Sequence, residues 1–191
     1  MARIPYFDPT KAQGRAKKQY ERLPDLNIFR MLGHAGELLD GFSKLGGQIL
    51  NFTDIDPVLR EIAIIRTGVL CGSRYEVHQH RRIGKRIGMS QALLDAITEG
   101  PDAAIFDPRQ RRIMAFTDDV VKNVRASDAT FDPLCEALGY KEMQELVITI
   151  GYYMLVSRFL ETFDVDIEKA EDSPPPEQLP GAKKGLTRGR E

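Results

Sequence analysis

The sequence has only two cysteines, no tryptophan, no long apolar run and almost no net charge. Cys71 and Cys135 are far apart, and neither belongs to a CxxC pair. That excludes a disulfide framework, and two thiols are too few for a structural zinc site. Both read most simply as small buried hydrophobes. No stretch approaches the roughly 20 apolar residues that a membrane helix requires. The opening MARIPYFDPTKAQGRAKKQY lacks the apolar centre of a secretory signal, which predicts a cytoplasmic protein. The sequon Asn51-Phe52-Thr53 is then without consequence. The formal net charge is −1, so no global field favours nucleic acid or an anionic membrane. No alternating strand pattern and no internal repeat are visible.

What remains is a chain of 191 residues, 42% hydrophobic and 29% charged, which suits one globular domain with a substantial core. Its periodic segments have helical spacing. A polar helix over 10–22 is interrupted by Gly14. Pro24 and Asp25 open a second segment, in which Leu26, Phe29, Met31, Leu32, Leu38, Leu39, Phe42 and Leu45 recur at steps of three and four. Asp56-Pro57 and Asp107-Pro108 are strong starts, each an N-cap followed by proline at the first helical position. The first opens a helix to about Gly72, the second one to about Val124. Ser73 with Glu76 three residues later reads as a capping box for a helix ending at Gly88. Ser90 restarts a short helix to Ile97. Residues 128–138 form another, stopped by Gly139, and residues 141–163 are long and apolar. These segments predict an all-α bundle over 1–170. Residues 171–191, rich in Pro, Gly and charge, read as a solvated tail or an arm on a neighbouring subunit.

Polar residues interrupt two of the apolar stripes. On the helix 73–88, Ile83 and Ile87 mark the buried face, and Glu76 and His80 lie on that face at helical spacing. His78 points the other way, with Arg81, Arg82 and Lys85. On the preceding helix, Val58, Ile62, Ile65 and Val69 form a stripe that Leu59, Ala63, Ile64 and Leu70 widen, and Glu61 sits inside that surround. Gly68 and Gly72 leave space on one side, for a closely packed helix or for a ligand. A carboxylate is costly to bury without a partner. Glu61 and His80 are therefore expected to face each other across two antiparallel helices joined near Gly72, as an acid–base pair in a pocket partly lined by Ser73 and Glu76. The alternative reading has Glu76 capping its helix and His80 as a satisfied core histidine. A metal held by Glu61, Glu76 and His80 is a weak fit to these spacings.

The segment PVLREIAIIRTGVLCGSRYEVHQHRRIGKRIGMSQALLDAI, residues 57–97, resembles the carboxymuconolactone decarboxylase family, which includes the alkylhydroperoxidase D-like proteins. NIFRMLGHAGELLDGF and YYMLVSRFLETFDVDIE resemble its longer members. In the peroxidase branch a Glu is followed after twelve residues by a CxxC and then by a His. Here those positions are Glu61, then Ser73 and Glu76, then His80. Cys71 lies two residues early. The resemblance thus implies an all-α alkylhydroperoxidase D-like bundle that keeps the frame of the site and lacks the dithiol. Thiol peroxidation needs an attacking and a resolving thiol, so the decarboxylase branch is the expected one. It implies a cofactor-independent lyase or isomerase of aromatic-acid catabolism, acting on a small carboxylated lactone, in a homo-oligomer (dimer, trimer or hexamer). His80 is then the acid–base residue, Glu61 its orienting partner, and Glu76 or Ser73 the group that binds substrate or a water. Arg74 and Tyr75 are candidate substrate contacts. Neither a metal nor a cofactor is called for. The rivals are a peroxidase using Cys71 alone and a non-catalytic helical oligomer that binds an aromatic ligand.

Overall fold

The computed structural model describes residues 1–169 together with 173 and 174. Apart from Ser173 and Pro174, the tail expected over 171–191 lies outside the described residues. Eight α-helices follow one another: α1 Gly14–Tyr20, α2 Asn27–Leu32, α3 Leu38–Phe52, α4 Pro57–Leu70, α5 Arg74–Arg86, α6 Gln91–Glu99, α7 Pro108–Asn123 and α8 Asp128–Thr162. Among the described residues there is no strand, and no helix is long and apolar enough to cross a membrane.

Capping chemistry sets most of these starts. Asp56 accepts from the backbone N–H groups of Val58 and Leu59, and Pro57 needs no acceptor for the hydrogen it lacks. Asp107 and Gln110 close a reciprocal capping box at α7. Ser90 caps Leu93. Gly139, at φ +76°, breaks α8 into the two segments the sequence implies. The apolar run after Pro24 is also broken. Gly36 takes φ +57°, so α2 passes through a 3-10 turn at Gly33–Ala35 before α3 begins. The polar helix expected over 10–22 becomes a 3-10 turn at Pro9–Lys11 followed by α1, because Gly14 also adopts a positive φ.

Helix α4 is the axis of the bundle. Every residue from Leu59 to Gly68 is buried, against α5, α6, α7 and α8. One apolar cluster gathers α2, α3 and the second half of α8 with the inner face of α5. The other gathers α4, α6, α7 and both halves of α8. Arg66 joins three helices inside the second. It grips Asp118 of α7 with two nitrogens, at 2.5 and 2.8 Å, and donates to the Ile97 carbonyl of α6. Removing one partner of such a buried pair typically costs about 3–5 kcal/mol.

Gly68 decides how α5 lies on α4. A Cβ at that position would meet Val77 Cγ2 at 3.2 Å and Glu76 Cβ at 3.4 Å. The space left by this glycine is therefore filled by a helix, while Gly72, at φ +71°, makes the turn between the two. With position 68 against 76 and 77, the antiparallel helices bring position 61 against 80.

Candidate functional site

The close approach of α4 and α5 buries a charged chain of four side chains. His80 Nδ1 lies 2.7 Å from Glu61 Oε2, and His80 Nε2 lies 3.0 Å from Glu76 Oε1 one turn earlier on α5. Arg60 Nε lies 3.5 Å from the other oxygen of Glu61. All four side chains are buried, Glu61 completely. Burial alone would hold the His80 imidazole neutral, but the charges and hydrogen bonds of Glu61 and Glu76 outweigh it and raise its pKa to about 9. At neutral pH His80 is the imidazolium, donating one hydrogen to each carboxylate. Among the described residues no group of three or more His, Cys, Asp or Glu is arranged to hold a metal ion.

Tyr153 of α8 packs edge-on against the His80 ring at 4.8 Å, and Tyr152 packs edge-on against Tyr153 at 5.2 Å. Burial, with the nearby Glu76 and Glu61 charges, pushes the Tyr153 phenol well above its ordinary pKa, so it remains a donor. The Tyr153 hydroxyl makes no hydrogen bond among the described residues. Tyr152 donates to the Phe42 carbonyl at 3.0 Å, an approach that Gly46 permits, since a Cβ there would lie 2.6 Å from the hydroxyl.

These side chains form one wall of a cavity of about 290 Å³ between α2, α3, α5 and α8. At roughly 30 Å³ per water that is room for about ten water-sized groups. Leu26, Ile28, Phe29, Leu50, Ile83 and Val156 make most of the wall apolar, while Tyr75, Glu76, Gln79, His80, Tyr152 and Tyr153 supply its polar side. Behind that side stands Glu168, from the segment after α8. It accepts from the Tyr75 hydroxyl at 2.5 Å, Gln79 Nε2 at 2.6 Å and the Asn27 backbone N–H at 2.7 Å. Asp166, two residues earlier, ties the same segment to Tyr6 and to the Ala2 backbone.

The structure thus brings Glu61, Glu76 and His80 together and puts Glu76, His80 and Tyr75 in the cavity wall. Two expectations are corrected, those for Ser73 and Arg74. Ser73 holds the N-cap position of α5, but its hydroxyl makes no capping bond; the Glu76 carboxylate turns to His80 and the Ser73 N–H bonds the Gly68 carbonyl, so no reciprocal box closes. The buried Ser73 Oγ has no hydrogen-bond partner, and Ser73 is not part of the cavity wall. Arg74 is exposed and outside the cavity, because one residue after Ser73 the helix has turned by about 100°. Glu61 stands behind His80 and touches no cavity space of its own. His78 is exposed as expected, whereas Arg81 and Arg82 are half-buried, bound to the Leu94 carbonyl of α6 and to Gln79.

Neither thiol lies in this wall. Cys71 is half-buried at the end of α4, where burial raises its pKa. Cys135 is half-buried in the first half of α8. Sequence pattern alone does not single out Tyr152, Tyr153, Gln79, Arg22 or Glu168. The only signal for the tyrosines is a hydroxyl pair inside an apolar run, and Glu168 carries none.

Residues 36–119 match the carboxymuconolactone decarboxylase family. No curated protein matches the sequence. Among solved structures the chain is similar to an alkylhydroperoxidase AhpD core, an uncharacterized peroxidase-related protein from Ralstonia eutropha JMP134. The TM-score is 0.77 at 20% identity, over 94% of this chain and 97% of that one. An uncharacterized peroxidase-related protein from Silicibacter sp. TM1040 gives 0.64 at 14% identity, over 73% and 74%. The debrominase Bmp8, as a cysteine-to-alanine variant in complex with 2,3,4-tribromopyrrole, gives 0.66 at 21% identity, over 82% and 83%. At these identities the likeness is one of fold.

Proposed function

We propose, from the match of residues 36–119 to the carboxymuconolactone decarboxylase family, that the chain is a cofactor-independent lyase or isomerase acting on a small carboxylated lactone or similar unsaturated acid. One observation carries the reading. A histidine sits between two carboxylates in the wall of a largely apolar cavity that contains no thiol.

Loss of CO₂ from such a substrate breaks a carbon–carbon bond and leaves its electron pair on a conjugated carbonyl as an enolate. The Tyr153 hydroxyl is the uncommitted donor available to that oxygen. Glu76 faces the cavity and shares a hydrogen with His80, so a proton reaches the substrate carbon through Glu76 and is replaced from His80. Glu61 holds the far side of the imidazolium and keeps the ring in place. Run without loss of CO₂, the same relay removes a proton at one carbon and returns it at another, which is isomerisation.

The test is to incubate the protein with carboxylated lactones in D₂O and follow them by NMR. The proposal expects loss of CO₂, or a shifted double bond, with deuterium placed at one carbon. Peroxide-dependent thiol oxidation without any such exchange would overturn it.

A further inference from the structure

Most polar groups in the cavity wall can be followed to a partner. Ser43 is committed to the Leu39 and Asp40 carbonyls. Tyr75 and one end of Gln79 are held by Glu168, and the other end of Gln79 accepts from Arg82. Tyr152 is held by the Phe42 carbonyl. Both ring nitrogens of His80 are taken. Three groups remain uncommitted among the described residues: the Tyr153 hydroxyl, the second oxygen of Glu76, and the guanidinium of Arg22.

Arg22 stands apart from the other two. It is exposed and lies in the connection between α1 and α2, where the backbone N–H groups of Arg22 and Leu23 both bond the Gln19 carbonyl. Arg22 is one of the residues that line the cavity. The His80 side of the wall has no positive charge to spare, because Glu61 and Glu76 are set against His80 and Arg60. The unpaired positive charge is therefore at the opening, and the interior offers one neutral donor and one carboxylate oxygen.

We infer that Arg22 anchors the carboxylate of the ligand at the cavity mouth, so that the substrate is a carboxylate that enters with its unsaturated, carbonyl-bearing end toward Tyr153 and Glu76. A guanidinium presents paired donors that fit a carboxylate fork. A ligand of this polarity meets all three uncommitted groups at once, whereas the reverse orientation sets its carboxylate against Glu76. The ligand class is a compact monoanion, or one carboxylate of a dianion, with an apolar body of about ten water-sized groups. This inference rests on the cavity being the substrate site, but it does not require turnover.

The test is direct binding by calorimetry or NMR of benzoate and of its neutral isostere benzamide, to the wild type, Arg22→Gln and Arg22→Lys. Arg22 is exposed, so neither substitution disturbs the core. Wild type should bind benzoate about tenfold more tightly than benzamide, the size expected of a charge-assisted hydrogen bond that remains partly hydrated. Arg22→Gln should abolish that preference and leave benzamide binding unchanged, and Arg22→Lys should keep part of it. Equal binding or no binding of the two probes by wild type, or unchanged benzoate affinity in Arg22→Gln, would overturn the inference. Carboxylate selectivity that depends on Arg22, in a protein that turns over no lactone, would sink the proposed reaction and leave the anchor standing.

Discussion

His80 Nδ1 and Glu61 Oε2 are 2.7 Å apart across the α4–α5 contact, with both side chains buried. Arg60 on the far side of Glu61 and Glu76 on the far side of His80 complete the buried chain of charges. Gly68 makes this possible by letting the backbones approach seven residues away.

The first consequence is a pH dependence of stability. His80 has an ordinary pKa of 6.5 and is raised to about 9 by the two carboxylates. A raised histidine stabilises the folded state fully below the unfolded pKa, and that stabilisation is lost as pH rises through the folded one. Chemical denaturation should therefore show a loss on the order of 3 kcal/mol between pH 6.5 and pH 10. The loss should be absent in a folded His80→Gln variant. A ring signal that titrates near 6.5 and disappears in His80→Gln would contradict the assignment.

Much of this arrangement is legible in the amino-acid sequence. Asp56-Pro57, Ser90 and Asp107-Pro108 name helix starts because their chemistry is local, and Gly139 names a stop for the same reason. Glu61, Glu76 and His80 are legible as polar breaks in apolar stripes, since burying charge requires a partner. The Ser73–Glu76 box fails because His80, one turn further along α5, takes the Glu76 carboxylate, while the Gly68 carbonyl takes the Ser73 N–H. Arg22, Tyr153 and Glu168 are illegible because their roles depend on where three separated segments converge. No periodicity encodes that convergence.

Glu61 is expected to act through His80. Glu61→Gln keeps the side-chain shape and removes one of the two charges that hold the proton. Activity on a carboxylated lactone should fall about 10²-fold, and the basic limb of the pH–rate profile should move down from about 9. A lowered rate with an unmoved pH profile would assign Glu61 a packing role only.

The thiols are expected to be dispensable. Cys71→Ser and Cys135→Ser should leave lactone turnover within about twofold, since surface or half-buried changes of this size rarely alter a site they do not touch. The wild type should show little hydroperoxide consumption with dithiol reductants, because the burial-raised Cys71 thiol has no resolving partner near it.

The outer face of α8 predicts association. Val147, Ile148, Gly151 and Leu155 are exposed on one stripe, and apolar stripes of this kind mark interfaces. The protein should sediment as a dimer, trimer or hexamer, and Val147→Lys with Ile148→Lys should weaken the assembly without loss of helicity. A wild-type monomer at micromolar concentration would refute this.

The most direct measurement compares three proteins in one assay, the wild type, His80→Gln and Cys71→Ser, for deuterium incorporation and CO₂ release from carboxylated lactones. Loss of turnover by about 10²–10⁴-fold in the His80 variant alone is the predicted result. Activity that survives loss of His80, or peroxide consumption that disappears only with Cys71, would contradict a reaction centred on His80.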